Sequence, residues 1–113
     1  MKLVNKTSNE TLLQDVLVAD SHKRRLIGLI GTKEFSEKAY YFPRCNWIHT
    51  FFMSIPIDVI YLDKKGLVKK IDYNLKPWRL PLPVFTARDV IEVAAGTAKA
   101  KNIKTGDELH VGN

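Results

Sequence analysis

Two aliphatic runs joined by four turn-forming residues limit this chain most strongly. Ile57-Asp58-Val59-Ile60-Tyr61-Leu62-Asp63 leads into Asp63-Lys64-Lys65-Gly66, and Leu67 to Tyr73 follows. The runs are rich in β-branched and aromatic residues, and the glycine falls where a type I turn with a bulge needs φ > 0. The spacing predicts an antiparallel hairpin. On its return strand Leu67, Ile71 and Tyr73 would share one face, with Lys70 and Asp72 on the other. At 113 residues and 45% hydrophobic there is material for one domain, residues 1–113, with its own core.

The other segments extend the β reading. Leu13 to Asp20, Ala39 to Phe42, Trp47 to Met53, Asp89 to Ala95 and Glu108 to Val111 are short strand candidates. Three prolines keep Lys76 to Pro83 out of a central strand, so it should be an extended surface loop carrying Trp78 and Arg79. Gly96 breaks the strand before it, and Thr97 to Lys104 reads as an irregular or helical turn. One short α-helix is expected near residues 21–30. Asp20-Ser21 cap it, Leu26, Ile27, Leu29 and Ile30 recur at helical spacing, and Gly31 ends it. About seven short strands with one helix make a mainly β fold, an antiparallel β-sandwich or partly open barrel.

Charge is concentrated. Residues 1–63 carry eight basic and seven acidic side chains, residues 64–104 ten and three, and the last nine two acidic ones. The net charge of +6 is therefore a local excess around Trp78-Arg79. Lysine outnumbers arginine thirteen to five, and no recognition helix, RNP-type aromatic strand or zinc finger accompanies it, which argues against nucleic acid. An anionic small molecule or a protein partner fits better. The most apolar window, Trp47 to Leu62, is 16 residues long and contains His49, Thr50, Pro56 and Asp58, whereas a spanning helix needs about 20 apolar residues. The N-terminus has no apolar h-region or cleavage site, so a cytoplasmic location is expected for the chain as given, and export only if a leader has been removed.

Few residues could carry chemistry. Cys45, the single cysteine, excludes a disulfide framework and a four-cysteine zinc site. Four residues of strand would separate its Cα from that of His49 by roughly 13 Å, so packing is the simpler role. His49 and Thr50 are polar side chains within Trp47-Ile48-His49-Thr50-Phe51-Phe52-Met53, and Asp58 is a third in an apolar setting. Such groups need partners: they could satisfy each other and the backbone near Pro56, or serve as acid and base. A third metal ligand is missing, so no metal and no cofactor is implied. Trp78-Arg79 pairs an indole with a guanidinium, which suits stacking and carboxylate or phosphate recognition, although the indole could equally close one end of the fold.

These residues occur in an order that resembles the family called domain of unknown function 192. Ile48 to Met53, Pro56-Ile57-Asp58, the aliphatic strand and the Asp63-to-Gly66 hairpin match its central pattern. Arg25, Gly28 and Leu29 match upstream; Pro77-Trp78-Arg79, Val90 to Gly96 and Gly106-Asp107 match downstream. Ile30 departs from it, since many members have methionine there. The resemblance spans roughly residues 11 to 112. It implies a small, mainly β prokaryotic domain with no established activity, in which His49, Thr50, Met53, Asp58, Trp78, Arg79 and Gly96 mark the site.

Two functions are expected from this. One is a ligand- or partner-binding module whose polar pocket, formed by His49, Thr50, Asp58, Trp78 and Arg79, favours an anionic or polar small molecule. The alternative is a hydrolase or metal-dependent enzyme using His49 and Asp58. Whether the chain is an enzyme, and its oligomeric state, stay open at this point.

Overall fold

The computed structural model describes residues 1–18, 37–51 and 53–113. Its hairpin closes at the expected place: the Gly66 N–H donates to the Asp63 carbonyl at 3.0 Å, with Gly66 at φ 84°. Asp63 Oδ1 accepts the N–H groups of Lys65 (2.8 Å) and Leu67 (3.0 Å), a side-chain cap that fixes the turn. No other residue fits at Gly66, because a Cβ there would lie 2.5 Å from the Leu109 carbonyl oxygen.

Among the described residues the strands are β1 (Lys2–Asn5), β2 (Glu10–Leu13), β3 (Asp15–Val18), β4 (Lys38–Phe42), β5 (Ile57–Leu62), β6 (Val68–Leu75), β7 (Asp89–Ala94) and β8 (Leu109–Gly112). One short helix, α1 (Thr97–Ala100), separates β7 from β8. They form a three-stranded sheet, β2-β1-β8, and a five-stranded sheet, β3-β4-β7-β5-β6. Leu3, Leu12, Leu13 and Leu109 of the first pack with Val16, Ala39, Ile60, Val68, Ile71, Ile91 and Val93 of the second into one core. The fold is thus mainly β, with two sheets sharing a core.

The five-stranded sheet is covered on both faces. Tyr40, Phe42, Ile57, Val59, Tyr61 and Val90 form a second core with Ile48, Met53, Ile55 and Ala87, contributed by irregular segments. All six residues of β5 are consequently buried, which explains why apolar residues occur at both parities of the strand.

Several expectations are corrected. The strand expected over Trp47 to Met53 is not found: Trp47 to Phe51 and Met53 are irregular, with Ile48 and Met53 in the second core. Side-chain-to-backbone bonds from His49 and Thr50 take the place of ladder partners there. Within this stretch Trp47 is exposed and Met53 buried. Leu13 to Val18 divides between two strands in different sheets. Pairing is not wholly antiparallel: β3 and β4 run parallel, from Asp15 opposite Lys38 to Val18 opposite Tyr41. The chain between them is long enough for the crossover a parallel pair needs. On β6, register shifts against β5 bury Val68 and Ile71 but leave Tyr73 exposed, so the expected alternation fails. Of the irregular or helical turn expected over Thr97 to Lys104, Thr97–Ala100 is helical. The helix expected near residues 21–30, with Arg25, Gly28 and Leu29, lies outside the described residues.

Candidate functional site

Thr50 joins the two segments that hold most of the expected site. It is fully buried, and its hydroxyl donates to the Lys76 carbonyl at 2.6 Å while accepting the Arg79 N–H at 2.7 Å. Its backbone adds two bonds, N–H to the Arg79 carbonyl and carbonyl from the Trp78 N–H, each 2.9 Å. A short proline-flanked loop with no strand partner is thereby held by one side chain and its own peptide groups.

This clamp sets the geometry of Trp78. Its backbone is left-handed, φ 63°, an outlier for a bulky aromatic residue, and the side chain is 57% exposed. The indole stacks on Phe51 with ring centroids 6.0 Å apart, and Phe51 stacks on His49 at 4.9 Å. His49 Nδ1 accepts the Phe51 N–H at 3.2 Å, which orients the imidazole along the row. Arg79 is exposed beside it. Trp47 borders the same loop, its Nε1 donating to the Pro81 carbonyl at 2.7 Å, and the Val84 N–H donates to the Asn46 carbonyl at 2.9 Å.

Asp58 serves a different part of the fold. Its Oδ1 accepts the Asn74 N–H (2.8 Å), and its Oδ2 accepts the N–H groups of Gly96 and Ala98 (3.0 Å each). It ties the irregularity in β6, where Asn74 has φ 51°, to the start of α1, where Gly96 has φ 92°. The His49 ring accepts a backbone N–H of its own segment, whereas Asp58 accepts those of β6 and the start of α1. Asp58 also borders an open depression of about 310 Å³ with Tyr73, Asn74 and Lys99. Cys45 packs against the second core and its thiol donates to the Trp47 carbonyl at 3.2 Å, in keeping with a packing role.

Glu92 is a buried acid that sequence reasoning passed over. It sits on β7 between Tyr40 of β4 and Val59 of β5 and is fully buried. The available signal was a single carboxylate in Val90-Ile91-Glu92-Val93-Ala94, a run apolar at both parities. On the next strand Tyr61 donates its hydroxyl to Asp72 at 2.9 Å. Burial, then the Asp72 charge and hydrogen bond, with Glu92 and Cys45 adding smaller repulsions, push the Tyr61 phenol far above its ordinary value.

Part of the basic stretch is neutralised locally: Lys69 lies 3.9 Å from Asp63, Lys70 3.2 Å from Asp72 and Arg88 3.5 Å from Asp89. Lys64 and Lys65 line an open groove of about 610 Å³ with Lys69, Thr86 and Arg88. Among the described residues no three His, Cys, Asp or Glu side chains cluster so as to hold a metal ion. No described helix is long and apolar enough to cross a membrane.

Known proteins resemble this chain over most of its length. A UPF0127 protein of Pyrococcus horikoshii is 35% identical over 111 residues, covering 95% of this chain and 96% of that protein. A UPF0127 protein of Thermococcus sibiricus is 33% identical over 112 residues, covering 95% and 72%. The same fold occurs in a protein of unknown function from Novosphingobium aromaticivorans, with TM-score 0.71, 18% identity and coverage of 97% and 82%. It also occurs in a protein of Sinorhizobium meliloti proposed to be a transcription regulator, with TM-score 0.75, 21% identity and coverage of 96% and 89%. The model of the family DUF192, described as Uncharacterized ACR, matches residues 3–111. The chain therefore belongs to the DUF192 family of uncharacterised prokaryotic proteins.

Proposed function

We propose that this chain is a binding module that recognises an anionic ligand or partner on the surface formed by residues 44–51 and 76–85. The conformation of Trp78 carries the reading. A left-handed backbone costs a non-glycine residue roughly 1–2 kcal/mol, and such strain persists where the surroundings over-determine it and function uses it. Here the strained residue holds a large aromatic ring largely in solvent, stacked on Phe51 and next to a guanidinium. A ring serving only to close the core would be buried. Thr50 acts as a positioning residue for this surface, and Asp58 as a positioning residue for the neighbouring turn.

An aromatic platform beside Arg79 suits a partner combining negative charge with a flat or apolar portion. The hydrolase reading requires His49 and Asp58 at one centre, and the three N–H groups bound by Asp58 belong to β6 and the start of α1.

The test is indole fluorescence of the full chain, read against Trp78→Phe to isolate the Trp78 emission. The probes are citrate, AMP, a polyglutamate peptide and phosphatidylglycerol vesicles. At least one should shift the emission saturably, and Arg79→Gln should weaken that response about tenfold, the loss of one charge-assisted contact. No response to any of the four would overturn the proposal.

A further inference from the structure

The same loop carries side chains that a small anion leaves unexplained. Leu80 is exposed, Leu82 is 80% exposed and Phe85 is 84% exposed. Exposed leucines are ordinary one at a time, but these three stand with Trp47 and Trp78 on two segments bonded to each other. The backbone that carries them is stiff. Pro81 and Pro83 fix φ, the Pro81 carbonyl is held by Trp47, and the Val84 N–H is held by Asn46. Leu82 lies between the two anchored positions and projects without any ordering still to be done.

Charge along these two segments has one sign. Residues 39–57 and 73–88 contain Arg44, Lys76, Arg79 and Arg88 and not one Asp or Glu. Asp89, at the edge of the second segment, is buried and accepts the Arg44 N–H at 3.0 Å.

We infer that this loop docks the protein onto a membrane surface containing anionic lipid, with Leu80, Leu82 and Phe85 entering the acyl boundary and Arg44, Lys76 and Arg79 meeting headgroups. This deepens the reading of the surface given under Proposed function and rests on it. The choice of partner follows from needing both sets of groups satisfied together. A small anion neutralises the cations and leaves Leu82 and Phe85 in water. A lipid interface flows around side chains that stand out singly, takes in their apolar area and offers negative charge at the depth of the arginines. Trp47 and Trp78 are suited to the headgroup level, with apolar rings and a polar N–H.

Vesicle co-sedimentation of the full chain tests this, with phosphatidylcholine vesicles against the same vesicles containing 30 mol% phosphatidylglycerol. Binding should be at least about tenfold stronger with the anionic lipid and should weaken in 0.5 M salt. Leu82→Asn with Phe85→Ser should reduce it about tenfold or more while leaving the melting temperature unchanged, since both side chains are already in water. Equal binding by this double variant, or equal binding to the two vesicle types, overturns membrane docking. If AMP, citrate or polyglutamate shifts Trp78 emission while vesicles do not bind, docking fails and the anion-recognition reading stands. If no probe responds, both fail.

Discussion

The Thr50 hydroxyl accepts the Arg79 N–H at 2.7 Å from a position with no solvent access, and this bond fixes the loop bearing the exposed Trp78. Replacing Thr50 with Val keeps the shape and strands the Arg79 N–H and the Lys76 carbonyl. The expected loss is roughly 1–3 kcal/mol, the cost of leaving buried polar groups unpaired. Thr50→Ser, which retains the hydroxyl, should recover most of it. Urea unfolding measures both variants, and equal stability of Val and Ser at this position would refute the clamp.

Asp58 should matter for stability rather than for recognition. Its two oxygens hold three backbone N–H groups from β6 and the start of α1. Asp58→Asn sets an NH2 group against at least one of those donors, and Asp58→Ala removes every acceptor. Expected losses are roughly 1.5–3 kcal/mol for Asn, by the value of hydrogen bonds to a charged group, and more for Ala. Amide exchange should accelerate at Asn74, Gly96 and Ala98 in both variants. If those three amides stay protected, the bonds are not what holds this junction.

What the sequence made legible follows from how local each signal is. The Asp63–Gly66 turn, β5, β7 and the break at Gly96 are written in residues within a few positions of one another, and all are found. β1 and β2 go unread because polar residues interrupt the N-terminal segment every few positions, and the parallel pairing of β3 with β4 depends on a distant partner. Trp47 to Met53 looked like a strand because an apolar run against a core has the same composition whether or not it finds ladder partners. Within the candidate site, Thr50, Trp78 and Arg79 were recognisable as unusual residues, and the structure brings them together. Pairing His49 with Asp58 rested on both being polar in apolar surroundings, a criterion that backbone amides satisfied equally well.

Asp63 gives the chain a defined acid sensitivity. Burial raises its pKa, but the hydrogen bonds from Leu67 and Lys65, with the charges of Lys69 and Lys65, outweigh that and hold it below its ordinary 3.8. A carboxyl depressed in the folded state contributes stability that is present above its unfolded value and lost as pH falls through the folded one. Stability should therefore drop as pH is lowered from above 3.8 toward the depressed value. Asp63→Asn keeps an acceptor for the turn and removes the titration, so its urea midpoint should fall less between pH 6 and pH 3. An identical fall in both proteins would show that the acid sensitivity lies elsewhere.

The strain at Trp78 can be separated from the contribution of its ring. Ala and Gly at this position both delete the indole and its stacking on Phe51, and differ only in the Cβ that disfavours φ 63°. Elsewhere in a loop Ala is the more stabilising of the two, because it restricts the unfolded chain. Here the order should invert, with Trp78→Gly more stable than Trp78→Ala by about 1 kcal/mol, since glycine reaches the left-handed region at no steric cost. Both variants should fail to give the vesicle or anion response. Stability comparable to the parent in Trp78→Gly, combined with that failure, would mean that the indole is kept for contact and not for folding. Greater stability in Trp78→Ala would mean that the loop relaxes around Cβ and that Thr50 does not impose the conformation.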